Sequence, residues 1–219
     1  MSDILLTDVI NGLAALILLF AFVLVAGVRM GQIIRAYTLG SLALGLLAAA
    51  VAYYTKADHI YIIAILTIVL KVIVIPRFLN YTVDRIKVKK EIEPLVSIPG
   101  SLLICGALTF VAYYIASPII AQGSSITKNC LAISLAVVLI GFFVIIARRK
   151  AMTEIVGLLM MENGLFLAAI SLTYGMPMIV EIGIFFDVLV AAIIMGIFAF
   201  KINHTFETLD TTFMRRLRD

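Results

Sequence analysis

Seven mostly apolar stretches, each near the length that crosses a bilayer, follow one another through 219 residues with only short connections between them. They lie at about Leu5–Val28, Tyr37–Tyr54, Ile60–Ile75, Leu95–Ala116, Cys130–Ala147, Met152–Tyr174 and Met178–Phe200. A helix rising 1.5 Å per residue needs ~20 residues to cross a hydrocarbon core of ~30 Å. None of the runs alternates polar and apolar residues as a barrel strand would. The spans are therefore helices, the structure that satisfies its own backbone groups within lipid. Composition excludes a soluble domain: 63% of the residues are hydrophobic and 14% are charged, against ~25% charged in a typical soluble domain. So little polar surface cannot cover a globule. The sequence predicts an all-α integral membrane protein of about seven transmembrane helices.

Basic residues give the bundle an orientation. Arg29 and Arg35 lie in the first connection, Arg77, Arg85, Lys87, Lys89 and Lys90 in the third, and Arg148, Arg149 and Lys150 in the fifth. Lys201, Arg215, Arg216 and Arg218 follow the last span, whereas the alternate connections hold only Lys56 and Lys128. With seven spans every basic cluster falls on one side, which the positive-inside rule assigns to the cytoplasm. The expected N-terminus is outside, the C-terminus cytoplasmic, and the location the plasma membrane. The net charge of +4 thus reports topology and is no signal for nucleic acid. Asp3 and Asp8 stand where a cleavable signal peptide would carry Lys or Arg, so none is expected. The stretch from Tyr81 to Glu93, rich in charge, is expected at the cytoplasmic interface, under a partner subunit.

Four ionisable residues fall within the runs. Glu162 lies about ten positions into the sixth and Asp187 about nine into the seventh, both roughly 14–15 Å deep. Lys71 stands about eleven residues into the third, and Glu181 just inside the outer end of the seventh. A charge at the bilayer centre costs ~2.5–3.5 kcal/mol even on the lenient insertion scale, so two mid-membrane carboxyls call for a reason. Burial favours the neutral carboxyl and a nearby cation favours the ionised one, the balance a proton relay needs. The plainer alternatives are a protonated packing carboxyl for Glu162 and Asp187, snorkelling toward the inner interface for Lys71, and interfacial solvation for Glu181. Asn163 and Gly164 make the helix around Glu162 polar and locally loosened. In the second run Ser41, Gly45 and Ala49 recur every fourth residue, a stripe that admits a neighbouring helix closely.

The sequence holds no cofactor site. Cys105 and Cys130 lie far apart without a Cys-x-x-Cys pair and read as small packing residues. His59 and His204 fall on opposite sides of the membrane and cannot share one haem.

The segment Arg148-Arg149-Lys150, then Gly157-Leu158-Leu159-Met160-Met161-Glu162-Asn163-Gly164, then Val180-Glu181-Ile182-Gly183-Ile184-Phe185-Phe186-Asp187, resembles the HyfE family, component E of hydrogenase-4 and related formate hydrogenlyase complexes. Lys71-Val72-Ile73-Val74-Ile75-Pro76 is similar to a Lys-Val-x-x-x-Pro stretch of the same family. The last three spans also resemble NuoK, the three-helix subunit of respiratory complex I, and its antiporter relative MrpC. That likeness divides the chain into an N-terminal four-helix region, 1–125, and a NuoK-like three-helix region with a short cytoplasmic tail, 126–219. Asp187 matches the second membrane glutamate of NuoK, whereas the first would fall at Leu159 and the acid here is Glu162.

The resemblance implies a non-catalytic subunit of an energy-converting hydrogenase, related to complex I. Antiporter-like and other membrane subunits would be its partners. Glu162, Asp187, Lys71 and Glu181 would serve proton or sodium translocation, with redox chemistry in other subunits. The alternatives are a subunit of an Mrp-type cation/proton antiporter and a passive scaffold. The four extra N-terminal spans favour the hydrogenase relatives.

Overall fold

Helix is the backbone state of every apolar run that the computed structural model describes, which covers residues 2–55, 58–85, 96–122, 127–148 and 151–173. The elements are α1 (Ser2–Ala26), α2 (Met30–Thr55), α3 (Asp58–Thr67), a π-helical segment (Ile68–Val74), α4 (Ile75–Arg85), α5 (Ile98–Gln122), α6 (Lys128–Ala147) and α7 (Ala151–Thr173). Six stretches are long and apolar enough to cross a membrane: Leu5–Ala26, Met30–Thr55, Ala64–Val83, Ile98–Ile120, Asn129–Ala147 and Met152–Leu172. Among the described residues there is no strand. The protein is a multi-pass, all-α membrane protein. The seventh apolar run, with Glu181 and Asp187, lies outside the described residues, as does most of the charged stretch after Arg85.

Two spans run past the prolines before which their sequence runs stop. The third run ends at Ile75, yet the helix continues through Pro76, and the span reaches Val83. Proline cannot donate to the carbonyl four residues back, and its ring presses on that carbonyl in an α-helix. A π segment leads directly into this proline: the Ile75 N–H donates to Leu70 O, five residues back. Tyr81–Arg85 accordingly belong to α4. The fourth run ends at Ala116, whereas α5 continues through Pro118 to Gln122. The acceptor that Pro118 leaves vacant is Tyr114 O, and the Ser117 hydroxyl donates to it at 2.8 Å. A side-chain hydroxyl thus takes over the missing backbone bond, as membrane helices allow.

Helices α2, α6 and α7 form the interior. α7 packs between α6 and α2, α1 lies across α2 and α6, and α5 leans on α6 and α1. In the spans of α2 and α7, 61% of residues are buried, against 17% in α5, so α5 is the outer helix. Both cysteines, Cys105 and Cys130, are free and buried.

Glycine sets the α6–α7 distance. A Cβ on Gly141 would stand 2.8 Å from Met161 N, and one on Gly164 would stand 2.9 Å from both Ser134 O and Val138 N. Neither gap admits a methyl group without backbone movement. Close approach of this kind is how helices associate where lipid is as apolar as their side chains. Gly164 is therefore a packing residue, and a close contact with α6 stands where a loosened helix was expected.

Polar ties close both ends of the bundle. Arg148, 5% exposed, donates from Nη2 to Val25 O at 2.6 Å, placing a cation at the carbonyl end of α1, where the helix dipole favours it. Burial lowers its pKa from the ordinary arginine value, but a guanidinium keeps its proton throughout. The first and fifth connections therefore lie at one end of the bundle. At the other, Thr127 Oγ1 donates to Ser171 O at 2.9 Å and Ser171 Oγ donates to Thr127 O at 2.8 Å.

Candidate functional site: a buried charged joint between three helices

The π segment carries Lys71 into the interior. A π turn is wider than an α turn and often marks a functional position. Here it places a lysine near the middle of the span Ala64–Val83 with 1% of its surface exposed. Across from it, Glu162 is the central residue of the span Met152–Leu172 and is 2% exposed. The Lys71 ammonium lies 3.7 Å from Glu162 Oε1. It donates a hydrogen bond to Asn163 Oδ1 at 3.0 Å and sits 5.7 Å from the centroid of the Phe166 ring. The Asn163 Nδ2 donates in turn to Ser41 Oγ on α2 at 2.8 Å. Three elements thus meet through one ammonium and one amide.

Electrostatics explains the grouping. An ammonium buried alone costs several kcal/mol, and this one has a carboxyl, an amide oxygen and an aromatic face around it. Those three partners lie within five residues of α7, since positions three and four apart share one side of a helix. Breaking such a buried pair from one side leaves an uncompensated charge, so the two residues depend on each other.

The structure brings together Lys71 and Glu162, two of the four ionisable residues singled out in the sequence. Lys71 turns inward to Asn163 and does not snorkel toward an interface. Glu181 and Asp187 lie outside the described residues. Sequence reasoning passed over Ser41 and Phe166 as site residues and took Asn163 only as local polarity. Their signal was faint: one amide and one hydroxyl at mid-span, on helices 122 positions apart. The small-residue stripe of α2 serves both neighbours. A Cβ on Gly45 would stand 2.5 Å from Ile68 Cγ1, at the start of the π segment, while Ser41 reaches α7. Among the described residues, no three His, Cys, Asp or Glu side chains gather as metal ligands would.

Comparison with known proteins points in one direction. No family model matches the chain, and no solved structure does. The uncharacterized protein Rv0085 of Mycobacterium tuberculosis is 35% identical over 158 residues, 72% of this chain and 72% of that protein. Hydrogenase-4 component E of Escherichia coli K12 is 26% identical over 210 residues, which is 96% of this chain and 97% of the relative. The same protein of Shigella flexneri matches to the same extent. Along nearly its whole length the chain resembles hydrogenase-4 component E.

The extent of that match matters as much as the identity. It covers all but 4% of the chain, so the likeness takes in the four N-terminal helices as well as the region from α6 onward. Lys71 and Glu162 come from these two halves of the sequence and meet only in the fold. Chemically the joint holds one obligate donor, the ammonium, and one group able to take up and release a proton, the carboxyl.

Proposed function

We propose that this protein is a component E-like membrane subunit of an energy-converting hydrogenase complex and contributes mid-membrane carboxyls to proton or sodium translocation. Redox chemistry would lie in other subunits. The observation that carries the reading is the Lys71–Glu162 pair, fully buried halfway through the bundle at 3.7 Å. A pair so deep costs more than packing alone requires, while a carboxyl beside a movable cation is what an ion pathway uses. The relatives named hydrogenase-4 component E supply the class of complex. In this reading the chain lies in the plasma membrane with seven spans, N-terminus outside and C-terminus in the cytoplasm. Its neighbours are antiporter-like subunits.

The reading assigns Glu162 and Asp187 to one lateral path. A proton leaves the Glu162 carboxyl as its ionised form is stabilised by the Lys71 ammonium, and the Asp187 carboxylate takes it up. Glu181 stands nearer the outer end of the same run. Neutral isosteres test the path, because Glu162→Gln and Asp187→Asn keep size and hydrogen bonding but cannot titrate. Both variant complexes should assemble. Redox-coupled proton or sodium uptake into vesicles, normalised to assembled complex, should fall at least ~10-fold for Asp187→Asn and by a smaller, measurable factor for Glu162→Gln, losses in the range of one general acid–base group. Wild-type uptake in both variants would make these acids packing groups and remove the relay from this subunit.

A further inference from the structure

A crevice runs between the helices beside the charged joint. Ile17, Ala21 and Leu24 line it along α1, Tyr37 and Gly40 on α2, and Asn163 on α7. From Ile17 to Leu24 is seven positions, so the crevice extends ~10 Å along the bundle. Leu24 adjoins Val25 at the end that Arg148 closes, whereas Asn163 is a mid-span residue. The crevice therefore leads from near that end down to the joint. Alanine and glycine on its walls leave a volume of ≈ 10 Å³, about what one water needs.

A space of this size stays dry where its walls are apolar and takes water where polar groups converge on it. Most of the wall is aliphatic, so Asn163 and Tyr37 decide the matter. A side-chain amide can make four hydrogen bonds, two from its nitrogen and two at its oxygen. Among the described residues Asn163 makes two: Oδ1 accepts from Lys71 and Nδ2 donates to Ser41. One N–H and one lone pair remain on a side chain that is 4% exposed. The ammonium on Oδ1 also polarises the amide, which strengthens its remaining N–H as a donor. Tyr37 brings a hydroxyl to the same wall.

Charged groups within membrane spans face the bundle interior or a water-filled cavity. We infer that the crevice binds one water on the Asn163 amide and that this water hydrates the Lys71–Glu162 joint from the side of α1 and α2. The site follows from the cavity and the open valences of Asn163. It holds whatever further partners Lys71 and Glu162 have, and whether or not the joint carries protons.

The test is a cryo-electron microscopy map of the assembled complex, at a resolution that shows ordered waters. A peak should stand in the crevice ~2.7–3.2 Å from Asn163 Oδ1 or Nδ2. Gly40→Ala fills the space with one methyl group, whose carbon meets only Phe20 Cβ at an ordinary 3.5 Å. That variant should assemble as before and lose the peak. Gly12→Ala, whose Cβ has nothing within 4 Å, adds a methyl group outside the crevice and should keep it. A bare crevice in the wild-type map overturns the inference. So does density that continues past Phe20 as a lipid chain would, or a peak that survives Gly40→Ala. Where Gly40→Ala fails to assemble, the wild-type map decides by itself.

Discussion

Along one side of α7, Gly157, Met161 and Gly164 lie against the backbone of α6. Along the other, Glu162, Asn163 and Phe166 surround a buried ammonium. The first contact is made of glycine and main chain, where repulsion rises steeply and nothing can adjust. The second is made of side chains from three elements, whose separations of 3.7, 3.0 and 2.8 Å are set by competing attractions. The difference shows how one helix holds a charge at mid-membrane. A rigid face fixes where α7 stands, and the opposite face leaves side chains to settle around the ammonium. A helix with two polar faces would lack the first property, and one with two glycine faces the second.

The comparison can be broken most forcefully from the polar side. Lys71→Met leaves Glu162 buried opposite an apolar group and should destabilise the folded protein by ~3–5 kcal/mol in a denaturant titration in detergent micelles. Adding Glu162→Gln should recover more than half of that loss, because the uncompensated charge is gone. If the double variant is as unstable as the single one, the two residues are not energetically coupled.

A change on the glycine face should be smaller but of a different kind. Gly141→Ala forces a methyl group to within 2.8 Å of Met161 N, and overpacking of that sort costs ~1–3 kcal/mol. Gly106→Ala on α5 is the control: nothing lies within 4 Å of its Cβ, so stability should hold or rise by up to ~1 kcal/mol through helix propensity. Equal destabilisation by both substitutions would mean that α6 and α7 are not in backbone contact.

The smallest effect belongs to α5, which takes part in neither face. Ser117→Ala removes the hydroxyl that bonds Tyr114 O above Pro118 and should cost ~0.5–1.5 kcal/mol. Hydrogen exchange should quicken beyond Pro118 while α6 and α7 keep their protection. Slowed or unchanged exchange there would show that the hydroxyl does not replace the missing backbone bond.

Much of the site was legible as an anomaly in the sequence. Lys71 and Glu162 are charges inside apolar runs, and a charge in hydrocarbon is costly enough to stand out without a structure. Ser41 and Asn163 were not legible as site residues, because a hydroxyl or an amide in a membrane helix is cheap and common. Gly164 was read as a loosening of the helix for a similar reason. A glycine says only that a side chain is absent, and whether that gives freedom or contact depends on the neighbour.

By itself the sequence determined the helical class, the described membrane crossings and the segregation of basic residues to alternate connections. These follow from local quantities: the hydropathy of ~20 consecutive residues and the charge of the turn after them. It did not determine where two of the crossings end, because a helix can run on through a proline, with a π turn leading into Pro76 and a neighbouring hydroxyl taking up the bond lost at Pro118. Nor did it determine which polar groups meet. Lys71 and Asn163 are 92 positions apart, and Asn163 and Ser41 are 122. The partner of a buried charge is chosen by whichever helix packs beside it, and that choice was made here by Gly45, which brings α2 against the π segment, and by Gly141 and Gly164, which fix α7 against α6.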